Sequence, residues 1–173
     1  MQLIIKGETR YLAELYRRYK QELFGFFYRM TSQAALSEDL VQNVFVRIIK
    51  YNQSYHGRGQ FRSWLYQLAR NVRADLSRGN QQRFQDQFEE LSGDDFVSAE
   101  SNEFNEELDL LDRAFLELNG EKRELLIMHR YQNFTYAQIA ELINSNEGAI
   151  KVRIFRIICE LREIYKKLES ERA

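Results

Sequence analysis

Apolar residues recur every three or four positions along most of the chain, the spacing of helices that bury one face. In the N-terminal half this pattern predicts three helices and a compact bundle. The first runs from Tyr11 to Met30, the second begins with Ser37 as its N-cap, and the third begins near Phe61 after a loop over residues 52–60. The positions expected to face inward are Leu12, Leu15, Tyr16, Tyr19, Leu23, Phe26, Phe27, Met30, Leu40, Val41, Val44, Phe45, Ile48, Ile49, Phe61, Leu65, Leu68, Ala69, Val72 and Leu76.

The C-terminal half predicts four more helices that end in a helix-turn-helix. A stripe resumes near Leu108 and ends at residues 119–120, and a further helix covers residues 121–131. Residues 135–138 (TYAQ) form a capping box that opens a short helix, and a long helix runs from about Glu147 to Leu168. Ala140 is small enough for a close crossing of the last two helices, and Asn144 tolerates the left-handed backbone of the turn. The chain contains no proline to interrupt these helices.

The charge distribution divides the chain. Residues 85–112 hold eleven acidic residues and no Lys or Arg, so removing their −11 from the net charge of −1 leaves about +10 elsewhere. The sequence therefore predicts an all-α protein of two small helical domains, an N-terminal bundle over residues 1–84 and a helix-turn-helix domain over residues 108–173. An acidic linker over residues 85–107 joins them.

Several function classes lack support in the sequence. No apolar run approaches the roughly 18 residues of a membrane helix, and the first ten residues lack a signal-peptide core, so we expect a cytoplasmic protein. Cys159, His56 and His129 are too few for a structural metal site. With no Gly-rich nucleotide loop and no visible nucleophile, the sequence predicts neither an enzyme nor a cofactor. Cys159 is interpreted as an incidental small residue, with a redox role the less favoured alternative.

The last helix carries the clearest candidate for nucleic-acid binding. Its isoleucines share one side, and an aromatic residue among cations occupies the opposite side, where Phe suits thymine methyls and cations suit phosphates or guanine edges. The less favoured alternative is a solvated basic face. The candidate residues are Lys151, Val152, Arg153, Phe155 and Arg156.

The third helix carries a second candidate, suited to a single strand. Arg62, Tyr66 and Arg73 form one line, and Trp64, Asn71 and Arg78 form another, with Arg70 nearby. Cations hold a backbone, rings stack on bases, and an amide reads base edges. The alternative, a core Trp64 with solvated arginines, is favoured for Trp64 but not for Asn71 with Arg70 and Arg73.

Four segments resemble a known family, the extracytoplasmic-function sigma factors of bacterial RNA polymerase. Residues 38–45 (EDLVQNVF) and residues 61–71 (FRSWLYQLARN), running on to Asp75, resemble its conserved region 2. Residues 136–142 (YAQIAEL) and 149–156 (AIKVRIFR) resemble its region 4. The likeness covers about residues 8–168 without the linker.

The resemblance implies a function and a set of site residues. Region 2 would bind core RNA polymerase through the polar face of the second helix, at Asp39, Gln42, Asn43, Val46 and Arg47. It would also recognise and melt the −10 element with Asn71 in a pocket for a flipped base, closed by the loop at residues 55–60. The residues expected on this single strand are Arg58, Arg62, Arg70, Asn71, Arg73 and Arg78. Region 4 would read the −35 element through Lys151, Val152, Arg153, Phe155 and Arg156.

The resemblance also implies partners and includes departures. An anti-sigma factor is expected, which could hold the protein at the membrane, and the acidic linker would thread through polymerase channels. Asn119 stands near the family's usual proline, Ala149 replaces a threonine and Val152 replaces a serine, which alters the expected promoter specificity. A simple transcription regulator that binds duplex DNA alone is the main alternative, and it gives no reason for Asn71 and its arginines.

Overall fold

The computed structural model describes residues 10–57, 60–77 and 106–172, and this part of the chain contains seven α-helices, one 3₁₀ turn and no strand. The chain divides into two compact units, Met1–Ser92 and Gly93–Ala173. The predicted all-α fold is therefore confirmed. The predicted linker falls largely outside the described residues, so its boundaries stay a prediction.

The N-terminal unit is built from three helices. They are α1 (Arg10–Thr31), α2 (Ala34–Lys50) and α3 (Phe61–Ser77), with a 3₁₀ turn at Asn52–Ser54 between the last two. Helix α2 packs against both α1 and α3. The fully or almost fully buried apolar side chains are Leu23, Phe26, Phe27, Met30, Leu40, Val41, Val44, Phe45, Ile48, Leu65, Tyr66, Leu68, Ala69 and Val72.

The start of α2 differs from the prediction. Ser37 is not the N-cap, because the helix already begins at Ala34 after Gln33. Ser37 is fully buried inside the helix, where its Oγ donates to the Gln33 carbonyl at 2.6 Å and lies 3.1 Å from Thr31 Oγ1. A serine can satisfy its hydroxyl on the preceding turn in this way, so it fits a helix interior as well as a cap.

The end of α2 also corrects one inward position. Ile49 is 44% exposed, while Phe45 and Ile48 are buried. Successive side chains of an α-helix differ by about 100° in direction around the helix axis. Ile49 therefore lies outside the buried face to which Ile48 belongs. The prediction that Ile49 faces the core was wrong.

The C-terminal unit is organised around its last helix. It contains α4 (Glu106–Glu117), α5 (Gly120–Arg130), α6 (Tyr136–Leu142) and α7 (Glu147–Arg172). Helix α7 packs against each of the other three. The buried apolar side chains of this unit are Leu110, Ala114, Phe115, Leu118, Leu125, Leu126, Ile127, Met128, Phe134, Ile139, Ala140, Leu142, Ile150, Ile154, Ile157 and Leu168.

The short connection between α4 and α5 is held by side chains on backbone groups. Asn119 is the N-cap of α5, and its Oδ1 accepts from the Lys122 amide at 2.9 Å. The Arg123 guanidinium donates to carbonyls at the end of α4, including that of Leu118 at 2.9 Å. These bonds satisfy helix-terminal groups that would otherwise lack partners. Asn119 therefore supports this junction by capping, near the position where the family resemblance leads one to expect proline.

Candidate nucleic-acid and polymerase interfaces

The predicted capping box opens α6. The Gln138 amide donates to Thr135 Oγ1 at 3.2 Å, and the Thr135 amide donates to Gln138 Oε1 at 2.9 Å. Two amides at the start of a seven-residue helix are thus satisfied by side chains. This reciprocal pair fixes where the first helix of the helix-turn-helix begins, and the prediction is confirmed.

The turn between α6 and α7 has the backbone that the sequence predicts. Asn144 is left-handed, with φ of 51°, and the Ser145 amide donates to the Ala140 carbonyl at 2.8 Å. Asn146 Oδ1 then accepts from the Ala149 amide at 2.8 Å, which caps the start of α7. Ala140 is buried, as expected for a residue where two helices approach closely. The turn therefore sets the direction in which α7 leaves α6.

The first turns of α7 have two contrasting sides. Ile150, Ile154 and Ile157 are buried, whereas Phe155 is 66% exposed and Val152 is 49% exposed. The five candidates for duplex contact, Lys151, Val152, Arg153, Phe155 and Arg156, are all exposed. Among the large apolar side chains that the structure describes, Phe155 and Val152 have the highest exposed fractions, and they lie among three cations. The predicted exposure of this face, here called the α7 face, is confirmed.

The line of Arg62, Tyr66 and Arg73 in the predicted single-strand site on α3 is partly buried. Tyr66 is fully buried, and its hydroxyl donates to Glu22 Oε1 at 3.0 Å. Arg62 also donates to that oxygen, from Nε at 2.6 Å, and its guanidinium lies 5.4 Å from the centre of the Tyr66 ring. The interpretation of Tyr66 as an exposed stacking residue was wrong, because its ring packs against α1, 5.4 Å from Phe26.

This Glu22–Arg62–Tyr66 network is the polar connection between α1 and α3. Burial, with the adjacent Glu22 carboxylate, raises the pKa of the Tyr66 hydroxyl well above its ordinary value, so the group is a neutral donor. Arg62 and Glu22 side chains are about a quarter exposed, at 26% and 27%. Arg62 thus has a structural role in addition to the predicted contact with nucleic acid.

Trp64 belongs to an aromatic cluster that holds the α2–α3 loop. Its ring centre lies 5.3 Å from that of Tyr55 and 5.8 Å from that of Phe61, and Tyr19 of α1 is 5.4 Å from Phe61. Trp64 Nε1 donates to Ser54 Oγ at 3.3 Å. The side chain is half-buried, which agrees with the favoured interpretation of Trp64 as a packing residue. Tyr55 was expected as part of the loop over residues 55–60 that closes the base pocket, but its contact with Trp64 was not predicted.

The second line of α3 keeps Asn71 accessible. Asn71 is exposed, its neighbour Val72 is fully buried, and Arg70 and Arg73 are partly buried. A buried neighbour fixes the helix beneath an exposed amide, which gives that amide a defined position. Arg58 and Arg78, the other two candidates for the single strand, lie outside the described residues.

The polar face of α2 combines an exposed part with a fixed part. Asp39 is exposed, and Gln42, Asn43 and Val46 are partly exposed, with Asn43 Nδ2 donating to the Asp39 carbonyl at 3.0 Å. Arg47 Nη2 lies 2.6 Å from Asp75 Oδ2 of α3, and the two side chains are only 17% and 26% exposed. Arg47 therefore connects the predicted polymerase face to the helix that carries Asn71, a role that the sequence analysis did not assign.

The remaining side chains with possible chemistry have ordinary surroundings. His129 is partly buried, with Nδ1 at 3.1 Å from the Phe134 carbonyl and its ring stacked on Tyr136. Cys159 is a partly buried free thiol. Among the described residues, no group of three or more His, Cys, Asp or Glu side chains could hold a metal ion. Within the same ranges, no helix is both long and apolar enough to cross a membrane.

Both units match models of one protein family. Residues 15–83 match sigma-70 region 2, and residues 108–158 match sigma-70 region 4. The chain belongs to the sigma-70 family of RNA polymerase sigma factors, whose members are non-catalytic transcription initiation factors. Within that family it belongs to the extracytoplasmic-function group, and it directs promoter recognition and transcription initiation.

Curated relatives and a solved structure agree with this assignment. The RNA polymerase sigma factor YlaC of Bacillus subtilis is 25% identical over 169 residues, covering 93% of this chain and 96% of the relative. The extracytoplasmic-function sigma factor SigM of the same organism is 27% identical over 158 residues, covering 90% and 96%. The sigma factor RpoE of Bartonella quintana, solved with the anti-sigma factor NepR, has the same fold. Its TM-score is 0.68 at 21% identity, with 89% of this chain and 96% of that chain covered.

The family assignment decides between the two functions that the sequence left open. A simple regulator with a helix-turn-helix needs no region 2, whereas residues 15–83 match that region. The sigma-factor interpretation therefore accounts for both units of the chain.

Proposed function

We propose that this sigma factor, bound to core RNA polymerase, reads the −35 element with the α7 face and opens the −10 element with the exposed line of α3. The observation that carries the proposal is the α7 face itself, where Phe155 stands 66% exposed among Lys151, Arg153 and Arg156. Phe155 and Val152 together form an exposed apolar patch rimmed by cations, and such patches mark interaction sites.

Contact with the −35 duplex follows from the chemistry of the α7 face. Phe155 and Val152 offer apolar surface to thymine methyl groups, and the three cations offer charge to phosphates or guanine edges. If each cation neutralises one phosphate, together they contribute roughly −2.7 to the slope of log K against log salt. Ala149 and Val152 lack the hydroxyls expected from the family resemblance, so we infer that apolar contacts carry more of the specificity here.

Opening of the −10 element rests on Asn71. An exposed amide can both donate to and accept from a base edge, and extruding a base requires a few kcal/mol that such contacts must offset. The nearby Arg70 and Arg73, with Arg58, Arg62 and Arg78, would hold the backbone of the displaced strand. Because Arg62 is already paired with Glu22, we assign it a smaller share of this contact.

Binding of core polymerase is assigned to the polar face of α2. Asp39 is exposed and Gln42, Asn43 and Val46 are partly exposed, which supports direct contact. Arg47 supports the interface by fixing α2 to Asp75 of α3 at 2.6 Å. The acidic linker would thread through basic channels of the polymerase, where its negative charge substitutes for that of nucleic acid.

Regulation and location follow from the family. The Bartonella quintana fold relative was solved in complex with an anti-sigma factor, and we infer a partner of the same class for this chain. The factor would then act in the cytoplasm and could be held at the membrane through that partner.

The test of the −10 proposal is promoter opening by holoenzyme, measured by permanganate reactivity of unpaired thymines. Asn71→Ala should lower opening by about tenfold while leaving closed-complex affinity within about twofold, since the lost contact forms only with the flipped base. Gln67→Ala is the matched control, because Gln67 is exposed one turn earlier on α3. Equal effects of the two variants would contradict the role of Asn71.

The −35 proposal is tested by affinity of holoenzyme for promoter DNA. Phe155→Ala should weaken binding by roughly tenfold, on the order of 1.4 kcal/mol, for loss of one apolar base contact. Leu116→Ala is a control of similar chemistry, since Leu116 is 42% exposed on α4. The proposal fails if Phe155→Ala binds the promoter as tightly as the unaltered protein.

A further inference from the structure

A groove on the C-terminal unit shares no lining residue with the surfaces proposed to contact promoter DNA or core polymerase. It has a volume of about 570 Å³ between α4, α5 and α7. Its apolar floor includes Leu111, Phe115, Leu126 and Leu161. The α7 residues that line it follow the α7 face along the helix, so duplex binding as proposed leaves the groove open.

The rim of the groove is basic. Arg130 of α5 and Arg162 and Lys166 of α7 line it, and all three are exposed. None of the three forms a salt bridge within the part of the chain that the structure describes. Three cations around an apolar floor favour a ligand that places carboxylates beside an apolar side chain.

The chain itself contains a segment with that chemistry. Residues 85–105 hold seven acidic residues and no Lys or Arg. Within them, residues 88–91 (FEEL) and 94–97 (DDFV) each place two acids next to apolar residues. The charge of this segment is opposite to that of the groove rim, and its apolar residues match the floor.

The segment is also close enough along the chain. Ten residue steps separate Phe96 from Glu106, where α4 begins, and an extended chain of that length spans up to roughly 35 Å. Leu111 of the groove lies five residues into α4, or about 7.5 Å along the helix. Tethering over this distance gives an effective concentration on the order of millimolar.

We propose that the acidic segment of residues 94–97 binds this groove in the free sigma factor, with Phe96 on the apolar floor and Asp94 and Asp95 beside the rim cations. The contact covers apolar surface and neutralises the rim until another ligand displaces the segment. It is independent of the contacts proposed for the α7 face and α3, so either can fail without the other.

Competition with an added peptide tests the proposal. A fluorescent peptide of residues 84–100 is titrated into the full chain and into a full-chain variant with Asp94→Asn, Asp95→Asn and Phe96→Ala. The altered chain should bind the peptide roughly tenfold more tightly, because its own segment no longer competes. Equal affinity for the two chains, or no binding to the altered chain, would overturn the proposal.

Charge reversal locates the binding surface. In the altered chain, Arg162→Glu with Lys166→Glu should reduce peptide binding by at least about tenfold. The matched control, Lys151→Glu with Arg153→Glu, reverses two exposed cations on the same helix outside the groove and should leave binding unchanged. Equal losses in both would mean unspecific attraction of charge and would refute the groove as the site.

Amide spectra of the unmodified chain supply a second measurement. Phe96→Ala alone should shift the amide signals of Leu161 and Tyr165 but not that of Phe155. Sedimentation at several concentrations distinguishes binding within one chain from binding between copies. A dimer that dissociates on Phe96→Ala would contradict the intramolecular contact, and a monomer with the predicted shifts would support it.

Discussion

Replacing Glu22 with alanine should destabilise the N-terminal unit far more than replacement of an ordinary helix-surface glutamate. Glu22 Oε1 accepts from the Tyr66 hydroxyl at 3.0 Å and from Arg62 Nε at 2.6 Å. Tyr66 is fully buried, so water cannot easily replace the lost acceptor. The substitution therefore removes a bond and leaves a buried donor to be satisfied again.

The size of the effect follows from these contacts. Loss of the acceptor for a buried hydroxyl amounts to roughly 1–3 kcal/mol in the free energy of unfolding. The Glu22–Arg62 ion pair adds at most about 1 kcal/mol, because both side chains are a quarter exposed and partly screened by solvent. We expect a total near 2–3 kcal/mol, and about 4–8 °C in Tm for each kcal/mol in a unit of this size.

Fluorescence of Trp64, the single tryptophan of the chain, reports unfolding of this unit within the full-length protein. Tyr66→Phe removes the hydroxyl itself, so no buried donor is left without an acceptor. It should lower the free energy of unfolding by only about 1 kcal/mol. The double variant should then lose less than the sum of the two single changes.

The control is Glu14→Ala, also on α1. Within the described residues, the ion pairs of Glu14 are the exposed ones with Arg17 and Arg18, so its removal should change stability by less than about 0.5 kcal/mol. If Glu22→Ala and Glu14→Ala proved equally mild, the Glu22–Arg62–Tyr66 network would not hold α1 to α3.

Three further predictions concern stability. Thr135→Ala should lower the free energy of unfolding of the C-terminal unit by about 1 kcal/mol through loss of the capping box, measured by circular dichroism of the full chain in urea. Because the pKa of Tyr66 is raised in the folded state, its contribution is intact below the ordinary tyrosine value of about 10 and decreases above it. Above about pH 10, ionisation of Tyr66 in the unfolded state should lower the free energy of unfolding by about 1.4 kcal/mol per pH unit. Tyr66→Phe should remove this part of the pH dependence, as measured by denaturant titrations that follow Trp64 fluorescence. Asp75→Ala should destabilise the N-terminal unit by about 1 kcal/mol, since Arg47 loses a partner at 2.6 Å in a pair that solvent partly screens, and an effect below about 0.5 kcal/mol would contradict a fixed bridge.

Helix positions could be predicted from the sequence because they depend on residues that are close together in the chain. Apolar residues recur every three or four positions, and the residues that cap a helix lie within a few positions of its end. The capping box at Thr135 and the left-handed Asn144 depend on a few adjacent residues, and both were predicted correctly. Ser37 was misplaced because serine satisfies its hydroxyl equally well on a cap or on the preceding helical turn.

The exposed and buried parts of the α3 site could be predicted only in part. Asn71 and the α7 face are exposed, as their distance from the apolar stripes indicates. Tyr66 was misassigned because α3 is buried on two sides. It packs on α2, and it also contacts α1 where Tyr66 meets Phe26, so more of its surface is buried than a single apolar stripe predicts. The Arg47–Asp75 bridge spans 28 positions of sequence, and no local pattern identifies such a pair.

These contacts give a physical link between the proposed polymerase and promoter surfaces. Arg47 joins α2 to α3 at the face proposed for polymerase, and Glu22 joins α1 to α3 through Arg62. Helix α3 is thereby fixed from two sides. An exposed base-reading amide benefits from such support, because its position must be set before the base arrives.

Transcription in vitro tests the central claim most directly. Purified core RNA polymerase is incubated with a fragmented genomic library, with and without this protein, and new start sites are mapped. We expect discrete starts that share −35 and −10 elements, with Phe155→Ala and Asn71→Ala each reducing them and Gln67→Ala leaving them unchanged. Absence of new starts, together with tight duplex binding by the protein alone, would contradict the assignment as a sigma factor.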